Sequence, residues 1–170
     1  MRQLLLSSLM AAVLLLSGCG YHLVGHGEGE GAITADVKTV SLILRGTSDR
    51  QFISSLKQRL ASDKYALIEP KDVVDQQGHA NLNVSIAPLS FRPSAYDAAG
   101  VATQYHMLFS GSLTLERDGK NSWQSGPIQT QGDVYVAGGP TSIEASRERL
   151  LRDLRKQWLQ DALGRLRSGF

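Results

Sequence analysis

The chain has 170 residues, with 18 Lys and Arg against 16 Asp and Glu, a formal net charge of +2, and a single cysteine, Cys19. Near-neutral charge argues against nucleic acid as a partner, and a lone thiol cannot close an intramolecular disulfide. The length suits one ordinary domain with enough residues for a real core.

Arg2 carries the only charge in the first stretch, and residues 4 to 16 form a run of 13 that is apolar except for Ser7 and Ser8. A bilayer-spanning helix needs roughly 20 apolar residues and a signal-peptide core about 7 to 15, so residues 1 to 18 are expected to be an export signal that is removed. Leu16-Ser17-Gly18-Cys19 resembles a lipobox, in which small residues precede a cysteine linked to diacylglycerol. That resemblance makes Cys19 the lipidated first residue of the mature chain, held to membrane lipid by several acyl chains. The alternative is an ordinary secretory signal with an incidental Cys19. By the sorting rule of such lipoproteins, Gly20 in place of Asp implies the outer membrane of a Gram-negative cell, with the protein lipid-anchored on the periplasmic side.

Residues 19 to 36 are expected to be a tether, because glycine recurs at every second position in Gly25 to Gly31 and makes order entropically expensive. His26, Glu28 and Glu30 suit a solvated spacer better than a metal site, and no metal or cofactor is expected. Val37 to Leu44 is rich in β-branched and large apolar residues and predicts a strand. Thr47 or Ser48 then caps a helix of about 14 residues whose stripe is Phe52, Ile53, Leu56 and Leu60. Tyr65 to Gly78 holds a short extended piece and one helical turn.

Asn81 to Ala87 alternates strictly, with Leu82, Val84 and Ile86 on one face. Val101 to Leu115 continues the alternation, placing Tyr105, Met107, Phe109, Leu113 and Leu115 opposite Gln104, His106, Ser110, Ser112 and Thr114. Asp118-Gly119 turns this strand back, since both residues tolerate positive φ. Trp123 to Val136 returns as a weaker strand broken at Gly126-Pro127, which suits an edge or a bulge. A closing helix capped by Thr141 or Ser142 runs to about Arg167, with Leu150, Leu151, Leu154, Trp158, Ala162, Leu163 and Leu166 as its core stripe. Its charges read as a solvated face with i,i+4 pairs such as Glu148 with Arg152.

These elements predict an α/β fold: a two-layer sandwich of two helices on one face of a four-stranded mixed sheet, in the order strand-helix-strand-strand-strand-helix. The single domain is expected over residues 37–167, with 168–170 as a tail. No nucleophile elbow, phosphate-cradling loop or pair of metal-spaced histidines occurs, and His106 reads as a hydrogen-bonded structural residue. A non-enzymatic protein with no catalytic residue is therefore expected.

Two stretches resemble the outer-membrane lipopolysaccharide-assembly lipoprotein family, LptE: Cys19-Gly20-Tyr21-His22-Leu23 after the lipobox, and Ala102-Thr103-Gln104-Tyr105-His106-Met107, similar to the family's A-x-Y-x-[ML] strand. The order of elements agrees over nearly the whole mature chain, while residues 62–79 match only by position. The resemblance implies a plug and assembly partner of the LptD β-barrel that assists delivery of lipopolysaccharide. A sheet face of Gln, Asn, Ser, Thr and His suits the polar lumen of such a barrel, although water alone would satisfy it.

The family places one basic residue shortly before the A-x-Y strand and another near the start of the last helix, both implicated in lipopolysaccharide binding. Here the strict positions are about Ala98 and Ser146, so Arg92 is a displaced substitute and Arg147 an adjacent one. With Arg149, these are the candidate lipopolysaccharide-binding residues, because the guanidinium fork suits phosphate. A meander brings the loop 88–100 and the junction 137–147 to one end of the sheet, where Arg92 and Arg147 are expected to converge. Arg117 and Lys120 belong at the opposite end. The competing reading is a free outer-membrane-anchored periplasmic binding or inhibitor module, with a lipid-anchored hydrolase as a third.

Overall fold

The structure is a computed structural model that describes residues 31–62, 66–136 and 140–170. The export signal, Cys19 and the tether up to residue 30 lie outside the described residues, as do Tyr65 and the glycine break at 138–139.

Seven strands and two helices follow in chain order: β1 (Thr39–Arg45), α1 (Arg50–Leu60), β2 (Ala66–Ile68), β3 (His79–Ile86), β4 (Ser90–Tyr96), β5 (Ala102–Arg117), β6 (Lys120–Gln124), β7 (Ile128–Tyr135) and α2 (Pro140–Ser168). The 16-residue β5 is the axis of the sheet. One of its sides pairs antiparallel with β3 and then with β4, the other with β6 and then with β7. Beyond β3 the sheet continues through parallel β1 to the three-residue edge strand β2. The expected class holds, an α/β sandwich on a mixed sheet, but the sheet has seven strands where four were expected.

The additional strands have separate causes. Pro88 and Pro93 make residues 88–100 read as a loop, yet Ser90–Tyr96 pairs with β5. A proline is tolerated there because β1 ends at Arg45, opposite Ser85, so that no strand lies on the outer side of β4. The return strand divides at residues 125–127 into β6 and β7, as the Gly-Pro signal foretold. Asp118 and Gly119 take φ of 51° and 72°, the left-handed pair of a two-residue hairpin turn.

Both helices cover one face of the sheet. Phe52, Leu56 and Leu60 of α1 and Leu154, Trp158, Ala162, Leu163 and Leu166 of α2 enclose Leu82, Val84, Met107, Phe109, Leu113 and Leu115. Phe52, Phe109 and Trp158 meet pairwise with ring centroids 5.8–5.9 Å apart, in edge-on or tilted geometry. Each such pair adds about 0.5–1.5 kcal/mol to the effect of burial. Trp158 reaches the sheet over Gly111, where an added Cβ would lie 2.9 Å from its ring and 2.7 Å from the Ser85 carbonyl.

The cap of α1 is Asp49, one residue beyond the expected Thr47 or Ser48. Its carboxylate accepts the Phe52 N–H at 2.7 Å and also receives Arg155 of α2 at 2.7 Å, so one side chain ends one helix and ties it to the other. Helix α2 begins at Pro140, a favourable first helical position, so positions 141 and 142, expected as its cap, fall within the helix range. The expected tether ends earlier than residue 36. Ala32 donates to Leu166 O at 2.9 Å, Ala32 and Ile33 pack against the core, and Thr34 and Asp36 bind Arg117. Among the described residues no helix is long and apolar enough to cross a membrane.

Candidate functional site

With both helices on one face, the opposite face of the sheet is left uncovered by any helix and open to a partner. Alternation along β3, β5 and β7 sends Asn83, Ser85, Gln104, His106, Ser110, Ser112, Thr114, Gln129 and Gln131 to it, opposite the buried Met107, Phe109 and Leu113. At its centre is a groove of about 460 Å³ lined by Ser85, Ala87, Ser110, Ser112, Thr114, Gln124, Pro127 and Gln129. The groove forms because the strands on both sides of β5 break at the same level, at residues 87–89 and 125–127. Its polar groups are hydroxyls and amides without a net charge, which offer hydrogen bonds to a partner but no fixed charge.

Towards the end where β4, β5 and β7 run on without β1, the face changes character. His106 Nδ1 lies 2.8 Å from Asp133 Oδ1 across the β5–β7 ladder. Arg92 is the ladder partner of His106 on the other side. His106 is hydrogen-bonded as the sequence predicts, and the β5–β7 register supplies Asp133 as its partner. Beyond this row stand Tyr96, Val101 and Tyr135, which are 60–70% exposed. Among the described residues no group of three or more His, Cys, Asp and Glu side chains is placed to hold a metal ion.

The three candidate arginines are not brought together. Phe91 pairs with the buried Met107, so Phe91 faces the helices and its neighbour Arg92 faces away from them, exposed. Arg147 is on the helix side. Its guanidinium stacks on Phe91 at 5.3 Å and its Nη1 binds Glu144 at 2.7 Å. Arg92 and Arg147 share one end of the sheet but occupy opposite faces of it, so the expected convergence is corrected. Residues 90–96 form a strand and not part of a loop free to bend, and a strand fixes each side chain to one face. Arg149 is exposed and lies two residues past Arg147, about 200° around the helix axis.

Sequence reasoning missed the support beneath Arg147. Phe91 and Tyr105 stack with centroids 4.8 Å apart and planes 9° from parallel, and this platform holds the guanidinium. The alternation that places Tyr105 was legible, but its partner was hidden in the proline-flanked segment. At the other end of the molecule, Arg117 lies beside Asp36 and holds its carboxyl at about 2, well below the usual carboxylate range. The expected separation of Arg117 and Lys120 from Arg92 and Arg147 is observed, with most of β5 between them.

Neither a family profile nor a curated protein matches this chain by sequence. Solved structures do match by shape. Rare lipoprotein B from Shewanella oneidensis is 13% identical with a TM-score of 0.60, over 75% of this chain and 92% of that one. An uncharacterized lipoprotein B from Nitrosomonas europaea is 13% identical with a TM-score of 0.56, over 79% of this chain and 84% of that one. A minor lipoprotein from Acinetobacter baumannii is 14% identical with a TM-score of 0.51, over 78% and 92% respectively. At these identities the likeness is one of fold, and the fold is one that solved bacterial lipoproteins adopt.

Proposed function

We propose that the chain is a non-enzymatic outer-membrane lipoprotein, anchored through Cys19, that sits in the lumen of the LptD β-barrel as a plug. In this reading it helps the barrel assemble and assists delivery of lipopolysaccharide to the outer leaflet. The observation that carries the reading is the helix-free sheet face: hydroxyls and amides around the groove at the middle of a 16-residue axis strand, with the His106–Asp133 pair and Arg92 beyond them, which suits the polar interior of a wide barrel. The shared fold with solved lipoproteins and the LptE-like stretches at Cys19–Leu23 and Ala102–Met107 support it. Lipopolysaccharide contact falls first to Arg147, which the Phe91–Tyr105 platform holds in place, with Arg92 and Arg149 acting as separate contacts.

Detergent extraction followed by affinity purification of the tagged chain tests this. A very large barrel protein in one-to-one amount is expected. Recovery of the chain alone, or with a soluble periplasmic protein, would instead favour a free outer-membrane-anchored binding or inhibitor module.

A further inference from the structure

The outer edge of β7 is built differently from every other described edge. Edge strands are normally blunted by shortness, proline or bulges, because their free N–H and C=O groups pair with any extended chain. β2 has three residues, β4 contains Pro93 and two register shifts, and β6 has five residues and one shift. β7 has eight residues, no proline, and an unbroken register against β5. Val136 N–H binds Thr103 O, and the antiparallel alternation then turns the N–H and C=O groups of Gln129, Gln131, Asp133 and Tyr135 outward. All four residues are exposed.

We infer that β7 is a self-recognition edge, on which two copies of this chain pair antiparallel about a twofold axis at Gly132. Complementarity selects the occupant and the register. With the axis at Gly132, Gln131 stands opposite Asp133 of the second copy, an amide against a carboxylate, and Gln129 stands opposite Tyr135. Moving the pairing one step one way sets Asp133 against its own counterpart, a like-charge clash. Moving it the other way sets Pro127, which has no N–H, opposite Tyr135. The Gly132 register alone gives every outward N–H and C=O of the strand a partner within the second β7 and opposes no like charges. The pairing concerns the chain before it enters any barrel and does not rest on that reading.

Sedimentation equilibrium of the full-length chain in detergent, at 1–100 μM, tests the inference, with circular dichroism as the control for folding. The wild type is expected to dimerise. Gln131→Asp, which sets two carboxylates face to face twice per dimer, is expected to weaken association at least tenfold, whereas Gln131→Lys, opposite Asp133, keeps or tightens it. Gln131→Pro removes a central donor and is expected to give a folded monomer. A wild type that stays monomeric throughout the range, or a dimer indifferent to both Gln131→Asp and Gln131→Pro, overturns it.

Discussion

Asp36 and Arg117 show how single side chains set the boundary of the folded unit. Asp36 is held at about 2 by the guanidinium and by Thr34, while its ordinary value is 3.8. A carboxyl whose folded pKa is depressed contributes fully above its unfolded pKa and loses that contribution as the pH falls through the folded one. Attachment of residues 34–38 to the β5–β6 hairpin should therefore persist above about pH 4 and fail towards pH 2. Carboxyl NMR titration should place the Asp36 midpoint near 2, and Arg117→Ala should raise it towards 3.8, with the Thr34 hydrogen bond still holding it below that value; an unmoved midpoint would contradict the assignment. Arg92 and Arg147 make the opposite case, residues near in sequence reading but separated by the sheet. Sites with no shared partners act additively. The effects of Arg92→Glu and Arg147→Glu on lipopolysaccharide binding should accordingly sum in a titration of the double variant, and a strong departure from additivity would mean that the two meet at one phosphate.

Among the elements, α1 and α2 are fixed by a few contacts that can be removed one at a time. Asp49→Ala takes away the α1 cap and leaves Arg155 without its partner, and a loss of about 1–2 kcal/mol is expected from denaturant unfolding. Gly111→Ala forces a methyl group between Trp158 and the Ser85 carbonyl. It should cost about 1–3 kcal/mol, as overpacking does, whereas Gly119→Ala meets no atom and loses only the turn's backbone preference. The elements with strong periodicity were legible in the sequence: α2, the alternating stretches of β3 and β5, and the Asp118-Gly119 turn. β4 was not, because proline marks a break locally, and only the end of β1 at Arg45 shows why a proline is harmless there. The Asp49 cap is not legible for a similar reason, since Thr47, Ser48 and Asp49 are all competent caps and only Asp49 is also bound by Arg155, more than a hundred residues away. The polar face was visible as alternation, but the groove was not, because it needs two strand breaks to coincide across β5.

As a whole the molecule is long and polarised. β5 spans roughly 50 Å at about 3.3 Å per residue. The chain enters at one end, where Ala32 meets the last turns of α2, and Tyr96, Val101 and Tyr135 stand exposed at the other. If Cys19 holds the near end at the membrane, Cys19→Ala should release a correctly folded chain from the membrane fraction, and a variant still found there without a barrel partner would contradict the anchor. In the proposed function, the helix-free face is the surface that meets a barrel wall. A photo-crosslinking residue placed at Ser112, on that face and beside the groove, tests it most directly in living cells. A covalent adduct with the mass of this chain plus a very large outer-membrane barrel is expected. No adduct, or one with a soluble periplasmic protein, would contradict it.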